Sequence, residues 1–223
     1  MSIAQNLLQI KNTIPNKVLL VAVSKTKPNE LLLEAYEAGQ RHFGENYVQE
    51  LVDKHEQLPK DICWHFIGHL QSNKVKYIAP FVHLVHGVDS FKLLQEINKQ
   101  AEKQNRIIDC LLQIYMAQEE TKFGFSEDEC IAMLQLAEYK KLNHVNVVGL
   151  MGMASNTDNQ AQLKKEFTFI NQLFNTLKEK QLVDVTAFKH LSIGMSSDYI
   201  LAVECGSTMV RVGSSIFGQR NYA

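Results

Sequence analysis

Lys25 is the residue whose position in the sequence most strongly suggests covalent chemistry. It directly follows the apolar stretch VLLVAVS at 18–24, which predicts a buried strand. A lysine amine at the end of such a strand can attack a carbonyl carbon when it is unprotonated. The alternative is a solvated turn lysine, because lysines are seldom buried. Both interpretations remain open from this stretch alone.

Two segments rich in glycine and serine, SIGMSS at 192–197 and VGSS at 212–215, indicate a phosphate site. Glycine lets the backbone approach an anion, and serine hydroxyls donate hydrogen bonds to it. Ser196 is expected to open the following helix, where backbone N–H groups face outward and favour anions. Ordinary turns remain the alternative, since both residue types are common in them.

Arg211 is expected to point into the same site as Lys25. Side chains alternate along a strand, so Arg211 and Gly213 share one face and the valines between and beside them share the other. Valine suits a strand–helix interface, which leaves Arg211 facing inward. A cation there would lower the pKa of Lys25 and favour its free amine. The alternative is a structural arginine paired with a carboxylate such as Glu45 or Glu204.

The elements that must position these residues alternate between strand and helix along the whole chain. The predicted strands lie at 18–24, 41–46, 62–68, 82–89, 107–115, 145–153 and 187–195, and the last strand with its following turn lies at 208–218. Helices between strands enforce parallel pairing, and eight such units predict a single (β/α)₈ TIM barrel over residues 1–223. An open doubly wound sheet is disfavoured because no GxGxxG segment follows the first strand. In a barrel, Lys25 and both Gly/Ser segments lie at the functional, carboxyl-terminal face.

Composition excludes several classes of function. The net charge of −1 gives no global field that would attract nucleic acid or an anionic membrane. No stretch approaches the roughly 20 apolar residues of a membrane span, and the amino terminus lacks a signal-peptide core. These features predict a cytoplasmic protein. The four cysteines and the histidines show no CxxC or HExxH spacing, so no metal site is expected.

Five motifs together resemble the pyridoxal 5′-phosphate (PLP) homeostasis protein family, also called YggS/PROSC-like proteins. They are VAVSKTKP, HFGENYVQE, WHFIGHLQSNK, HLSIGMSSD and GSTMVRVGSSIFG. The resemblance runs from about residue 18 to the carboxyl terminus. It implies a fold similar to the N-terminal barrel of alanine racemase, which is fold-type III among PLP proteins. Tyr115 stands where many members carry asparagine.

The resemblance also implies a cofactor site. Lys25 would hold PLP as a Schiff base, Arg211 would lie near the pyridine nitrogen, and Asn46 would line the pocket. The phosphate contacts would come from Ser192, Met195, Ser196, Gly213 and Ser214.

The function implied by the resemblance is intracellular PLP homeostasis, meaning buffering and delivery of the cofactor. Alanine racemases add a second domain with another catalytic base, whereas this sequence ends at Ala223. We therefore expect an open cofactor face, a monomer without efficient amino-acid turnover, and PLP-dependent apoenzymes as partners. Three alternatives remain: a PLP-dependent racemase or decarboxylase, a Schiff-base aldolase acting on a sugar phosphate, and a scaffold in which Lys25 is a surface residue.

Overall fold

The computed structural model describes residues 2–116 and 123–219 and contains alternating strands and helices. The strands are β1 (Leu19–Val23), β2 (His42–Glu45), β3 (Cys63–Phe66), β4 (Leu84–Val88), β5 (Ile108–Ile114), β6 (Val145–Gly152), β7 (His190–Ser192) and β8 (Met209–Val212). The helices are α1 (Ile3–Thr13), α2 (Asn29–Glu37), α3 (Val48–Gln57), α4 (Val75–Ile78), α5 (Phe91–Lys103), α6 (Glu127–Gln135), α7 (Gln160–Glu179), α8 (Tyr199–Glu204) and α9 (Ser214–Phe217). Two 3₁₀ turns occupy Ser72–Lys74 and Tyr139–Lys141.

The eight strands form one closed parallel barrel in the order β1 to β8. The barrel closes where β1 pairs with β8, and Val21 lies opposite Arg211 in that pair. The predicted (β/α)₈ fold class is therefore confirmed. Because all strands run in one direction, the turns that follow them meet at one mouth of the barrel.

Apolar side chains divide into an outer layer and a smaller inner one. The outer layer lies between strands and helices and includes Val210 and Val212. The inner cluster, which fills the middle of the barrel, consists of Val21, Leu84, Leu111, Val148, Met151 and Met209. Met209 and Arg211 thus face inward while the intervening valine faces the helices, as the alternation predicted.

Side chains cap the starts of α5 and α6, but α8 starts later than the sequence predicts. A capping box of Ser126 and Glu129 opens α6, and Ser90 caps α5. The helix predicted at 196 instead begins at Tyr199, so Ser196 lies in a turn before it. The reason lies in Asp198, which accepts a hydrogen bond from Met195 N–H at 2.6 Å and holds residues 195–198 in that turn.

The amino-terminal segment forms a helix that sequence reasoning did not assign. Ser2 and Gln5 make a capping box at the start of α1, whose Ile3, Leu7 and Ile10 are buried. Asn6 donates from its side chain to the Ile216 carbonyl at 2.9 Å and links α1 to α9. None of the described helices is both long and apolar enough to cross a lipid bilayer.

Candidate functional site

A cavity of about 410 Å³ opens at the carboxyl-terminal mouth of the barrel. That volume lies within the range of small-molecule pockets. It is lined by Val23, Lys25, Lys27, Asn46, Ile67, Met153, Met195, Ser196, Ser197, Arg211, Gly213, Ser214, Gly218 and Gln219. Seven of the eight site residues predicted from the sequence are therefore brought together here. The eighth, Ser192, is fully buried and contacts Arg211 instead.

The cavity carries positive charge on several sides. Lys25, Lys27 and Arg211 line it, whereas no aspartate or glutamate does so within the described parts of the chain. Such a site favours an anion, since each cation lowers the energy of a negative charge placed between them. Serine hydroxyls and a glycine border the same space and can donate hydrogen bonds to that anion.

The turn that carries Lys25 is held by one buried and one exposed polar contact. Lys54 Nζ donates to the Ser24 carbonyl at 2.8 Å, and Thr26 N–H donates to Glu50 Oε1 at 2.6 Å. Thr26 adopts φ 61°, a left-handed conformation that costs energy for a β-branched residue. Lys25 itself is half-buried rather than exposed. The interpretation of Lys25 as a plain surface lysine is thus not supported.

Glu45 lies at the centre of these contacts. Its Oε1 accepts from Lys54 Nζ at 2.8 Å and from the Ser24 hydroxyl at 2.6 Å, and Lys54 also contacts Glu50 at 2.7 Å. Burial raises the pKa of Glu45 to about 7, against the opposing effects of Lys54 and Ser24. The support of the lysine turn therefore includes a carboxyl group that titrates near neutral pH.

Arg211 is buried at the floor of the cavity and donates three hydrogen bonds to oxygen atoms. Its Nη1 donates to Ser192 O and Ser192 Oγ, both at 2.7 Å, and its Nη2 donates to Gly152 O at 3.0 Å. Burial lowers the pKa of Arg211 to about 10, partly offset by the Asp198 carboxylate, so the guanidinium stays charged at neutral pH. These hydrogen bonds go to carbonyl and hydroxyl oxygens, not to Glu45 or Glu204 as the structural alternative required.

A chain of histidines continues from Arg211 through the barrel. Ser192 Oγ lies 3.1 Å from His86 Nδ1, His86 Nε2 lies 2.8 Å from His65 Nδ1, and His65 Nε2 lies 2.9 Å from His42 Nδ1. Burial holds the pKa values of His65 and His86 well below the ordinary value, so both rings are neutral. A neutral imidazole has one donor and one acceptor nitrogen, and each link of this chain uses one of each.

The two Gly/Ser segments are joined at the cavity wall. Gly213 N–H donates to Ser196 Oγ at 3.1 Å, which fixes the end of β8 against the turn after β7. Gly194 has φ +94°, and a Cβ there would lie 2.6 Å from the Ala202 Cβ, so only glycine fits. Met195 is exposed at the rim of the cavity, and Ser214 is exposed at the first position of α9.

Asn46 follows β2 and has an unsatisfied atom within the site. Its side-chain Oδ1 is buried and has no hydrogen-bond partner among the described residues. Gly68 packs directly on the Asn46 backbone, where a Cβ would lie 2.4 Å from the Asn46 carbonyl oxygen. Since buried polar atoms are normally paired, Asn46 Oδ1 is suited to a donor supplied by a ligand.

Sequence reasoning missed Lys27 as a residue of the site. Its Nζ donates to the carbonyls of Phe217, Gly218 and Gln219, at 3.1, 3.0 and 2.8 Å. These contacts tie the turn after β1 to the segment after α9. The signal was present in the motif VSKTK, where Lys27 is two residues from Lys25, but nothing local shows that its partner lies about 190 residues away.

The whole chain is similar to known proteins. Residues 1–221 match the family model described as alanine racemase, N-terminal domain. A protein of Pasteurella multocida named pyridoxal phosphate homeostasis protein is 40% identical over 237 residues, covering 100% of both chains. The human protein of the same name is 40% identical over 214 residues, covering 92% of this chain and 77% of its own.

Solved structures agree with these matches. PipY of Synechococcus elongatus without PLP superposes with a TM-score of 0.91 at 34% identity and covers 97% of this chain and 100% of its own. The PLP-bound form of PipY gives a TM-score of 0.87. Alanine racemase from E. faecalis, at 14% identity and a TM-score of 0.76, shares the fold and extends beyond it, since 58% of its chain is covered. By sequence and by structure, the chain belongs to the pyridoxal phosphate homeostasis protein family.

Proposed function

We propose that this chain binds PLP covalently through Lys25 and serves to buffer and deliver the cofactor without efficient amino-acid turnover. The observation that carries the proposal is the cavity of about 410 Å³ that Lys25, Lys27 and Arg211 line, without a carboxylate among its described lining residues. PLP combines a phosphate with an aldehyde, so it needs both anion binding and an amine. The names of the relatives and the PLP-bound structure of PipY support the same cofactor.

The phosphate end of PLP fits the Gly/Ser wall of the cavity. Ser196, Gly213 and Ser214 lie there together, at the start of the single-turn helix α9. Gly213 is closely approached by the Val23 carbonyl, 3.1 Å from where a Cβ would lie, so a larger residue would crowd the mouth. Ser192 acts through Arg211 rather than by lining this wall.

The ring and aldehyde of PLP would contact Lys25, Arg211 and Asn46, which line the same cavity. PLP, when bound, supplies an aldehyde carbon and a pyridine ring that draws electrons from that carbon. Lys25 supplies the amine that forms the Schiff base. Arg211, a charged donor, cannot accept a proton from the pyridine nitrogen, which keeps the ring a weaker electron sink. The unpaired Asn46 Oδ1 adds a hydrogen-bond acceptor to this cavity.

The carrier role rests on the shortage of acid–base groups in the cavity. Racemisation requires a second group that moves a proton on the face opposite the Schiff-base lysine. Histidine, tyrosine, cysteine and carboxylate side chains do not line the cavity in the described part of the chain. Lys27 is the other amine, and its Nζ donates to three backbone carbonyls. Release of PLP to an incoming amine needs no such group.

The remaining expectations belong to the same proposal. A single PLP-binding domain spanning residues 1–223, a monomeric state, a cytoplasmic location and PLP-dependent apoenzymes as recipients fit a carrier. Neutral overall charge gives no preference for nucleic acid or a membrane surface.

The carrier function predicts transfer without turnover. Protein loaded with PLP and freed of unbound cofactor should activate an apo-aminotransferase, while chiral analysis of a panel of L-amino acids shows no D-isomer above the level of free PLP. The same transfer assay with Lys25→Ala, loaded in the same way, is the control. Rapid racemisation of any amino acid would contradict the carrier role, and a protein that takes up no PLP would contradict the cofactor.

Ser214→Ala is expected to speed PLP dissociation by roughly 3–10-fold, since one solvent-exposed hydrogen bond worth about 0.7–1.4 kcal/mol is lost while the others remain. The Schiff-base absorption should persist. Ser215→Ala is the matched control, because Ser215 is equally exposed and adjacent but does not line the cavity. Stopped-flow capture of the released PLP by an apoenzyme measures both rates. Equal rates for the two variants would remove Ser214 from the site.

The raised pKa of Glu45 predicts a pH-dependent stability. The folded protein holds a proton on Glu45 up to about pH 7, whereas the unfolded chain releases it near the ordinary value, so stability falls as pH rises through about 7. Relative to Glu45→Gln, the wild type should lose on the order of 1–3 kcal/mol between about pH 5 and pH 8. Urea unfolding of both proteins across this range measures it. Parallel curves would show that Glu45 does not titrate there.

A further inference from the structure

The amino-terminal mouth of the barrel, opposite the cofactor cavity, holds a cluster of metal-binding side chains. His42 and Cys63 are the first residues of β2 and β3 and lie opposite each other in the register. His83 immediately precedes β4. Because these strands are neighbours and parallel, their first residues meet at one end of the barrel.

The three side chains are close enough to share one ion. Each residue offers one metal-ligand atom, a ring nitrogen or the Cys63 Sγ, and these three atoms all lie within 4.8 Å of one another. The His42 and His83 rings meet edge to face, with centroids 5.7 Å apart. A tetrahedral zinc site has metal–nitrogen and metal–sulfur distances of about 2.0–2.3 Å, so small side-chain rotations would bring these atoms around an ion.

The donor set selects the kind of metal. Two imidazoles and a thiolate suit Zn²⁺ and similar transition ions, whereas Mg²⁺ and Ca²⁺ require oxygen ligands. His83 is exposed, while His42 and Cys63 are half-buried, so an ion can enter from solvent. Three protein ligands leave one coordination position, which water would fill.

The histidine chain gives His42 the outer support that metal ligands usually have. His65 Nε2 lies 2.9 Å from His42 Nδ1, which leaves His42 Nε2 for an ion. A bound metal would place the remaining proton of His42 on Nδ1, where it donates to His65. His65 then donates to His86 and His86 to Ser192 Oγ, which has two lone pairs and also accepts from Arg211. Every described link of the chain stays satisfied in this arrangement.

We propose that His42, Cys63 and His83 form a binding site for a zinc-like divalent transition metal at the amino-terminal mouth of the barrel. Such an ion would join the beginnings of three consecutive strands. The site lies at the opposite end from the cofactor cavity, and the proposal does not depend on PLP binding. Sequence spacing did not reveal it, because each ligand comes from a different strand, and the expectation of no metal site rested on spacing alone.

Titration of the reduced, tag-free protein with Co²⁺ tests the site. Tetrahedral Co²⁺ bound to a thiolate gives a sulfur-to-metal charge-transfer band in the near ultraviolet and d–d bands in the visible, measured as difference spectra against metal-free protein. We expect both sets of bands, and we expect Zn²⁺ to remove them by displacing Co²⁺. Absence of the charge-transfer band in the wild type would overturn the proposal.

Variants assign the ligands. Cys63→Ser should abolish the charge-transfer band, whereas Cys205→Ser, at another half-buried cysteine, should retain it. His83→Gln should weaken Co²⁺ binding by at least about tenfold. Because His83 is exposed, this variant should fold, which circular dichroism verifies. A band that survives Cys63→Ser, or an unchanged Co²⁺ affinity in folded His83→Gln, would also overturn the proposal.

Discussion

A buried, charged guanidinium is the constraint around which this barrel is organised. Removing Arg211 from water is costly unless its donors find acceptors, and the structure supplies carbonyl oxygens of two neighbouring strands and the Ser192 hydroxyl. Because an arginine can only donate, Ser192 Oγ must accept from it. Beyond Ser192, the buried His86 and His65 extend this polar network beside the apolar cluster that fills the middle of the barrel. The interior is therefore polar along one side from the cofactor mouth toward the opposite mouth.

The cations and the carboxyl groups near Lys25 occupy separate places in the structure. The carboxyl-terminal mouth has cations and hydroxyls but, in the described part of the chain, no carboxylate at its surface, which favours a phosphorylated ligand. The acidic residues near Lys25 do not line the cavity. Glu45 and Glu50 instead bind Lys54, which supports the turn that carries Lys25. These carboxyl groups thus support the lysine turn without lining the cavity.

The sequence predicted the parts of this account that depend on periodicity. Eight strand–helix units gave the barrel, and alternation along β8 gave the inward direction of Arg211. Placement at strand ends brought Lys25, Asn46 and the two Gly/Ser segments to one mouth. The contacts between distant segments were not predictable: the Lys27 bonds to the end of α9, the Glu45–Lys54 pair and the histidine chain join residues whose spacing carries no local pattern. The start of α8 was misplaced because any of several small polar residues at 196–198 could begin a helix.

The central claim is that Lys25 holds PLP covalently, and borohydride reduction tests it most directly. Reduction converts the Schiff base into a stable amine, and peptide mass spectrometry then identifies the modified lysine. The account predicts one PLP-derived mass per chain, on the peptide that contains Lys25, and its loss in Lys25→Ala. Reduction that places the adduct on Lys27 or another lysine, or an equal adduct in Lys25→Ala, would contradict it.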